Sequence, residues 1–302
     1  MQTGLSSHAV GHGDDDTAYV AFARCFGCTL VLGEPVGAPH LIDDVVDSFL
    51  REHPRALFFQ TSSAFAQRLH VRHGYRTTPI GIERMLDVST WNTRGRRKQS
   101  IRSAVNGARN NGIAIAEDNE LDLNTVSPAW WRTRRRRTLR FLVPPQRHRP
   151  LGARTFVAKD SAGDILGFVT FDALGEAGNI IGYTPSVSLA SSRFRPGLWY
   201  AIVAAALEVF QREGVCSVNL GLAPLADGTF GNSVDDDNAS LLLTTALRVL
   251  RVVGGAVYNF KGIEHAKARF EGSAQRSWLC HRGVLPWWSL FAVLWRTWRG
   301  PR

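Results

Sequence analysis

Val218 to Leu225 reads VNLGLAPL, and Tyr258 to Phe270 reads YNFKGIEHAKARF. The first segment is an apolar run that reaches Gly221 and Pro224. Such a run predicts a buried strand that stops abruptly and hands over to a loop. The second predicts a short aromatic strand, a turn at Gly262, and a helix carrying Lys261, Lys267 and Arg269. Cations gathered beside a strand end suit a site that holds an anionic substrate.

Moving outward, Arg154 to Ala158 and Ile165 to Phe171 read as a hairpin around Asp160-Ser161-Ala162-Gly163, and Asn179 to Tyr183 as a further strand. A helix with a long apolar face is predicted from Gly197 to Glu213, a strand from Cys216 to Leu222, a helix from Ala239 to Val253, and a strand from Ala256 to Phe260. Hairpin, strand, helix, strand, helix, strand is the order of an acetyltransferase-like (GNAT) α/β domain. The first half is a looser version. It has strands from Tyr19, a helix from Leu41 to Glu52, a buried strand from Ala56 to Gln60, a helix capped by Ser62, and a strand from Ile80 to Val88. The expected fold is therefore α/β: two tandem GNAT-like domains with mixed, mostly antiparallel sheets flanked by helices. The division expected is a disordered N-terminus over 1–16, a first domain over 17–143, a linker over 144–153, a second, catalytic domain over 154–281, and a Trp/Arg-rich amphipathic tail over 282–302.

The chain has 302 residues and a net charge of +10. Lys98, Lys159, Lys261 and Lys267 are its only lysines, so arginine supplies nearly all the positive charge. A basic surface favours polyanions, either a nucleic acid or an anionic membrane. Two basic helices are predicted. One, from Arg97 to Asn111, is flanked or lined by Arg96, Arg97, Lys98, Arg102 and Arg109; the other, from Trp130 to Phe141, carries Arg134, Arg135 and Arg136. No apolar run reaches the roughly 18 to 20 residues of a membrane span, and the start lacks a signal-peptide core. The expected location is cytoplasmic, with the tail lying on the inner membrane face. Cys25 and Cys28 form a CxxC with no second pair, so no metal site is expected.

Six segments in order give the chain a resemblance to a known family. Tyr19–Pro35, Leu57–Gln60, His73–Glu83, Arg94–Gly112 and the two opening segments look like pieces of the C-terminal domain of bacterial phosphatidylglycerol lysyltransferases. The similarity covers roughly residues 18 to 280. It implies an aminoacyl-tRNA-dependent transferase that moves an amino acid to the hydroxyl of a lipid such as phosphatidylglycerol. It implies no cofactor beyond aminoacyl-tRNA as co-substrate. Under it, Lys261, Lys267 and Arg269 hold the donor's terminal phosphates or stabilise the ester oxyanion, and the basic helix from Arg97 to Asn111 contacts tRNA. From position and chemistry alone, Asp227, just past a strand end, is a candidate to orient the amino group, and His265 is a candidate proton handler. Tyr183, Gly221, Asn259 and Gly262 are candidate pocket residues, and the second basic helix is a further candidate for tRNA contact.

The chain also departs from the pattern. Ser186-Val187-Ser188-Leu189 stands where the family carries Asp-Leu-Met-Arg, and Gly272 to Trp278 is a degraded version of its closing motif. Only Gly197 remains where an acetyltransferase has its pyrophosphate loop, which argues against acetyl-CoA. These departures keep two alternatives in view. One is the same donor chemistry on a small hydroxyl or amine acceptor; the other is a non-catalytic RNA- or membrane-binding relative.

Overall fold

A computed structural model describes residues 6–11, 17–121, 151–176, 179–191, 197–226, 229, 243–245, 247–249 and 260–283. The elements in chain order begin with β1 (Ser6–Gly11), β2 (Thr17–Cys25), β3 (Cys28–Leu32), β4 (Val36–Gly37), α1 (Ile42–Glu52), β5 (Leu57–Thr61), α2 (Ser63–His73) and β6 (Arg76–Asp87). They continue with α3 (Gln99–Asn110), β7 (Ala114–Glu117), β8 (Arg154–Lys159), β9 (Ile165–Glu176), β10 (Asn179–Ala190), α4 (Leu198–Arg212), β11 (Ser217–Pro224), α5 (Phe260–Ala268) and β12 (Ser273–His281). All strands among the described residues join one sheet in the order β1-β2-β3-β5-β12-β6-β11-β10-β9-β8-β7, with β4 also on β2. Most pairs are antiparallel; β3 with β5 and β10 with β11 are parallel. This is the mixed α/β architecture expected.

Local chemistry explains several elements. Phe26 and Gly27 both have positive φ, 50° and 75°, between the paired Cys25 and Cys28. Two such residues form the hairpin turn whose twist matches the flanking strands. The Ser62 hydroxyl accepts from Phe65 N at 3.2 Å and starts α2. Gly74, left-handed at φ 66°, ends it.

Two large apolar clusters lie along the sheet. One packs α1 and α2 against β2, β3 and β5, with Trp278 and Cys280 of β12 among them. The other packs α3 and α4 against β6, β8, β9, β10 and β11. The expected boundary at 144–153 does not follow this packing. Ile101 and Ala108 of α3 share a core with Phe156 and Phe210, and β7 pairs with β8. Conversely, β12 returns to sit between β5 and β6.

Other departures have physical causes. Residues 6–11, expected to be disordered, form β1, because the open edge of β2 offers backbone partners from Thr17 to Phe22. Gly262 is no turn: it lies inside α5, which already begins at Phe260. β11, expected from Cys216 to Leu222, spans Ser217–Pro224. The predicted second basic helix, the strand from Ala256 and the C-terminal tail lie outside the described residues. No helix among the described residues is long and apolar enough to cross a membrane.

Candidate active site

The site is built on an irregularity in β11. Asn219 pairs with Met85 of β6, but the next pair is Leu222 with Glu83. Leu220 and Gly221 therefore stand opposite Arg84 alone, a β-bulge. Gly221 has φ +77°, a conformation that glycine adopts without steric cost. The Asn219 side chain holds the bulge: its Oδ1 accepts from Gly221 N at 2.8 Å, and its Nδ2 donates to Glu83 Oε2 at 2.7 Å.

On its other edge β11 pairs with β10 only at Gly182↔Ser217 and Tyr183↔Val218. Both strands continue, but no longer with each other, which leaves a gap in the sheet. β10 passes a second irregularity between Pro185 and Val187. A Cβ placed on Gly221 would stand 3.5 Å from Lys267 Nζ and 3.8 Å from Thr184 Oγ1, so these groups meet at the gap.

Lys267 reaches the gap from α5. Ile263, one turn earlier, packs against Ile82, Ala223 and Ala226. Phe270, just beyond the helix, is fully buried against Trp91, Trp199 and Tyr200. Residues 263, 267 and 270 share one helical face, so the two apolar anchors turn Lys267 inward. Its Nζ donates to Leu222 O at 2.8 Å. Enclosure lowers its pKa to about 8, and the carboxylate of Glu83 opposes that shift.

A second unusual group lies one strand further out. Asp172 of β9 is directly opposite Thr184 of β10. Burial pushes its carboxyl up, only partly opposed by the Ser186 hydroxyl. The gap thus has an ammonium on one wall and a costly carboxylate beyond the other.

The remaining expected residues distribute unevenly. Lys261 and His265 are exposed on α5, away from Lys267. Arg269 donates to His265 Nε2 at 2.7 Å, so this histidine is engaged by arginine rather than by the gap. Gly221 is at the site; Gly262 is part of the helix that carries it. Tyr183 is turned away from the gap. It faces α4, where it is 5% exposed and stacks on Phe210 at 4.4 Å, with the Arg154 guanidinium 5.7 Å from its ring. Asp227, Asn259, Arg134, Arg135 and Arg136 lie outside the described residues.

The basic helix splits in the same way. Lys98 is buried, paired with Glu271 at 3.3 Å and 5.5 Å from the Trp91 ring. Arg102 donates to the carbonyls of Thr93 and Gly95, each at 2.6 Å, and ties down the loop before α3. Arg96, Arg97 and Arg109 are exposed. A groove of about 420 Å³ beside Lys98, Glu271 and Trp91 contains none of the gap residues.

Glu83, Asn219, Thr184 and Asp172 were not singled out from sequence. The available signal was a polar residue inside an apolar strand, as in PIGIERML, VNLGL and ILGFVTFDAL. That signal has an ordinary reading as a solvent-facing position, which only the pairing register removes.

The sheet, with its parallel pair parting over an enclosed cation, defines an acetyltransferase-like α/β protein. The family described as "Phosphatidylglycerol lysyltransferase, C-terminal" matches residues 6–281, and the chain belongs to that family. It is 23% identical over 286 residues to the phosphatidylglycerol lysyltransferase of Bacillus subtilis (strain 168), covering 89% of this chain and 31% of that protein. It is 27% identical over 187 residues to an MprF-like domain protein of Mycobacterium tuberculosis, covering 56% of this chain and 38% of the relative. The chain thus spans about a third of the length of these curated relatives. The solved structure of L-PGS from Bacillus licheniformis superposes with a TM-score of 0.75 at 17% identity, covering 97% of this chain and 89% of the other, a likeness of fold.

Proposed function

We propose that the protein is an aminoacyltransferase that moves an amino acid from aminoacyl-tRNA to the hydroxyl of a lipid such as phosphatidylglycerol. The observation that carries this reading is the enclosed Lys267 ammonium at the gap between β10 and β11. The name of the family and of its Bacillus subtilis relative supports the lipid acceptor.

In the reaction the acceptor oxygen attacks the ester carbonyl carbon. Negative charge builds on the carbonyl oxygen, then the bond to the tRNA 3′ oxygen breaks. Lys267 is suited to meet that developing charge, because an ammonium in an enclosed site is worth more than one in water. With a pKa of about 8 it also lies close enough to working pH to give a proton to the departing 3′ oxygen. The proton lost by the acceptor hydroxyl restores the balance. Asp172 is suited to receive the ammonium of the amino acid, a partner that would offset its burial. Exposed Arg96, Arg97 and Arg109 are the candidates for tRNA phosphates, a contact whose affinity falls steeply with salt.

A second reading keeps the donor chemistry but gives it a small hydroxyl or amine acceptor. Ser186-Val187-Ser188-Leu189, in place of the family's acidic and basic residues, favours it. The test is to incubate the protein with tRNA charged with labelled amino acids and phosphatidylglycerol vesicles. Label in the lipid extract supports the first reading, and label in a water-soluble ester or amide supports the second. Failure to discharge any aminoacyl-tRNA sinks both.

A further inference from the structure

The gap contains more than a lysine. The Gly221 bulge has no support from β10, since the β10–β11 pairing ends at Tyr183↔Val218. Its support comes from β6. One primary amide satisfies both sides: Asn219 accepts the Gly221 N–H and donates to the Glu83 carboxylate. The next carbonyl along, that of Leu222, receives Lys267. The chain of contacts therefore runs Glu83, Asn219, Gly221, Leu222, Lys267, with heavy-atom distances of 2.7 to 2.8 Å at each of its hydrogen bonds.

The charges around Lys267 are unevenly placed. On its own helix, Lys261 and His265 are exposed, Arg269 is engaged with His265, and Glu264 lies one turn earlier. β11 carries no titratable side chain from Ser217 to Pro224. On β10, Tyr183 faces the opposite core. On β9, Asp172 lies beyond Thr184. On β6, Arg84 stands opposite the bulge, and Glu83 is the carboxylate that acts on the Lys267 charge.

We infer that Glu83 and Asn219 form a positioning pair for Lys267, in which Asn219 fixes the bulge that aims the Leu222 carbonyl at the ammonium and Glu83 both orients that amide and balances the ammonium's charge. Neither residue needs to touch substrate. The catalytic meaning of the pair rests on the transfer reaction proposed above, but the pair itself can be tested without it.

The measurement is the titration of Lys267 in the intact protein without substrate. The extent of reductive methylation at Lys267 is read by peptide mass spectrometry across pH 6 to 11, an experimental range spanning both the enclosed and the ordinary lysine behaviour. Glu83→Gln is expected to lower the Lys267 midpoint by about one pH unit, the effect of losing one nearby opposite charge. Glu83→Asp restores part of it. Asn219→Ala shifts the midpoint although both charges remain, because the bulge no longer holds Leu222 O in place. Asn219→Ser, a smaller change that keeps a hydrogen-bonding group, serves if the alanine variant does not fold. A Lys267 midpoint unmoved in both folded Glu83→Gln and folded Asn219→Ser overturns the inference. If the midpoint moves but no aminoacyl-tRNA is ever discharged, the positioning pair stands and the proposed function falls. If transfer occurs with an unmoved midpoint, the reverse holds.

Discussion

The sheet contains two parallel strand junctions, and they are put to different use. Between β3 and β5 the pairing runs through Leu30↔Leu57, Val31↔Phe58 and Leu32↔Phe59, and Gly33 N extends it to Phe59 O at 2.8 Å. Leu30 and Leu57 pack with Ile80 and Leu279 on one side, and Val31 and Phe58 with Phe49 and Tyr75 on the other. Between β10 and β11 the pairing ends after two residue pairs, and an enclosed ammonium occupies the opening. The closed junction contributes stability. The open one keeps a charge where burial is costly, which is the mark of a functional site more often than of a structural one.

The largest way to test this contrast is Lys267→Met. Transfer is expected to fall about 10²–10⁴-fold, the loss of a charge acting on the transition state. The folded protein should become more stable, not less. A lysine whose folded pKa is depressed to about 8 binds fewer protons folded than unfolded between pH 8 and its ordinary value. The wild type therefore loses stability as pH falls through that window, and methionine removes the loss. Thermal melts at pH 7 and pH 10 check the sign. The counterpart in the closed junction is Phe58→Ala, which empties a fully buried site. It should cost about 3–5 kcal/mol in denaturant unfolding.

A smaller comparison uses the two junction glycines. Gly33 and Gly221 both have positive φ, +82° and +77°, but only Gly221 has a functional group beside it. Alanine at either position should cost about 1–2 kcal/mol of stability from backbone strain. Only Gly221→Ala should also raise the salt- and pH-sensitivity of transfer, because only there does the bulge carry Lys267. The smallest effect expected is on Asp172. Its folded pKa is raised, so it favours the folded state most when protonated, and stability declines as pH rises through and above the ordinary carboxylate range. Asp172→Asn should remove that decline and stabilise the protein at pH 7 by at most about 1 kcal/mol, since solvent still reaches the group. If it instead destabilises, the carboxylate has a cationic partner in the resting protein.

Much of the architecture was legible from local pattern. The helices over 42–52, 63–73, 99–110 and 198–212 follow apolar spacing, with Ser62 and Gly74 marking the ends of one of them. What escaped depends on distant partners. β12 opens with Ser-Ala-Gln-Arg, which carries no strand signal of its own and becomes a strand only between β5 and β6. Gly262 reads as a turn because glycine is a poor helix former, yet Ile263 and Phe270 anchor α5 and override it. At the site, Lys267 and Gly221 were legible as a motif. Their supports, Glu83 and Asn219, were not, because each is separated in sequence from the lysine and gains meaning only from register. Lys98 shows the opposite case: its charge suggests an exposed position, and its packing with Trp91 and Glu271 is set by partners distant in sequence.

The position of β12 has a consequence for synthesis. During translation β5 and β6 leave the ribosome long before residues 273–281, which pair with both of them in the finished sheet. Until then each has at least one unsatisfied backbone edge, a template for unwanted strand pairing. Closure requires contacts spanning most of the sequence, which slows folding and prolongs that exposure. The chain is therefore expected to complete its fold only after residue 281 has emerged, and to lean on chaperones until it does.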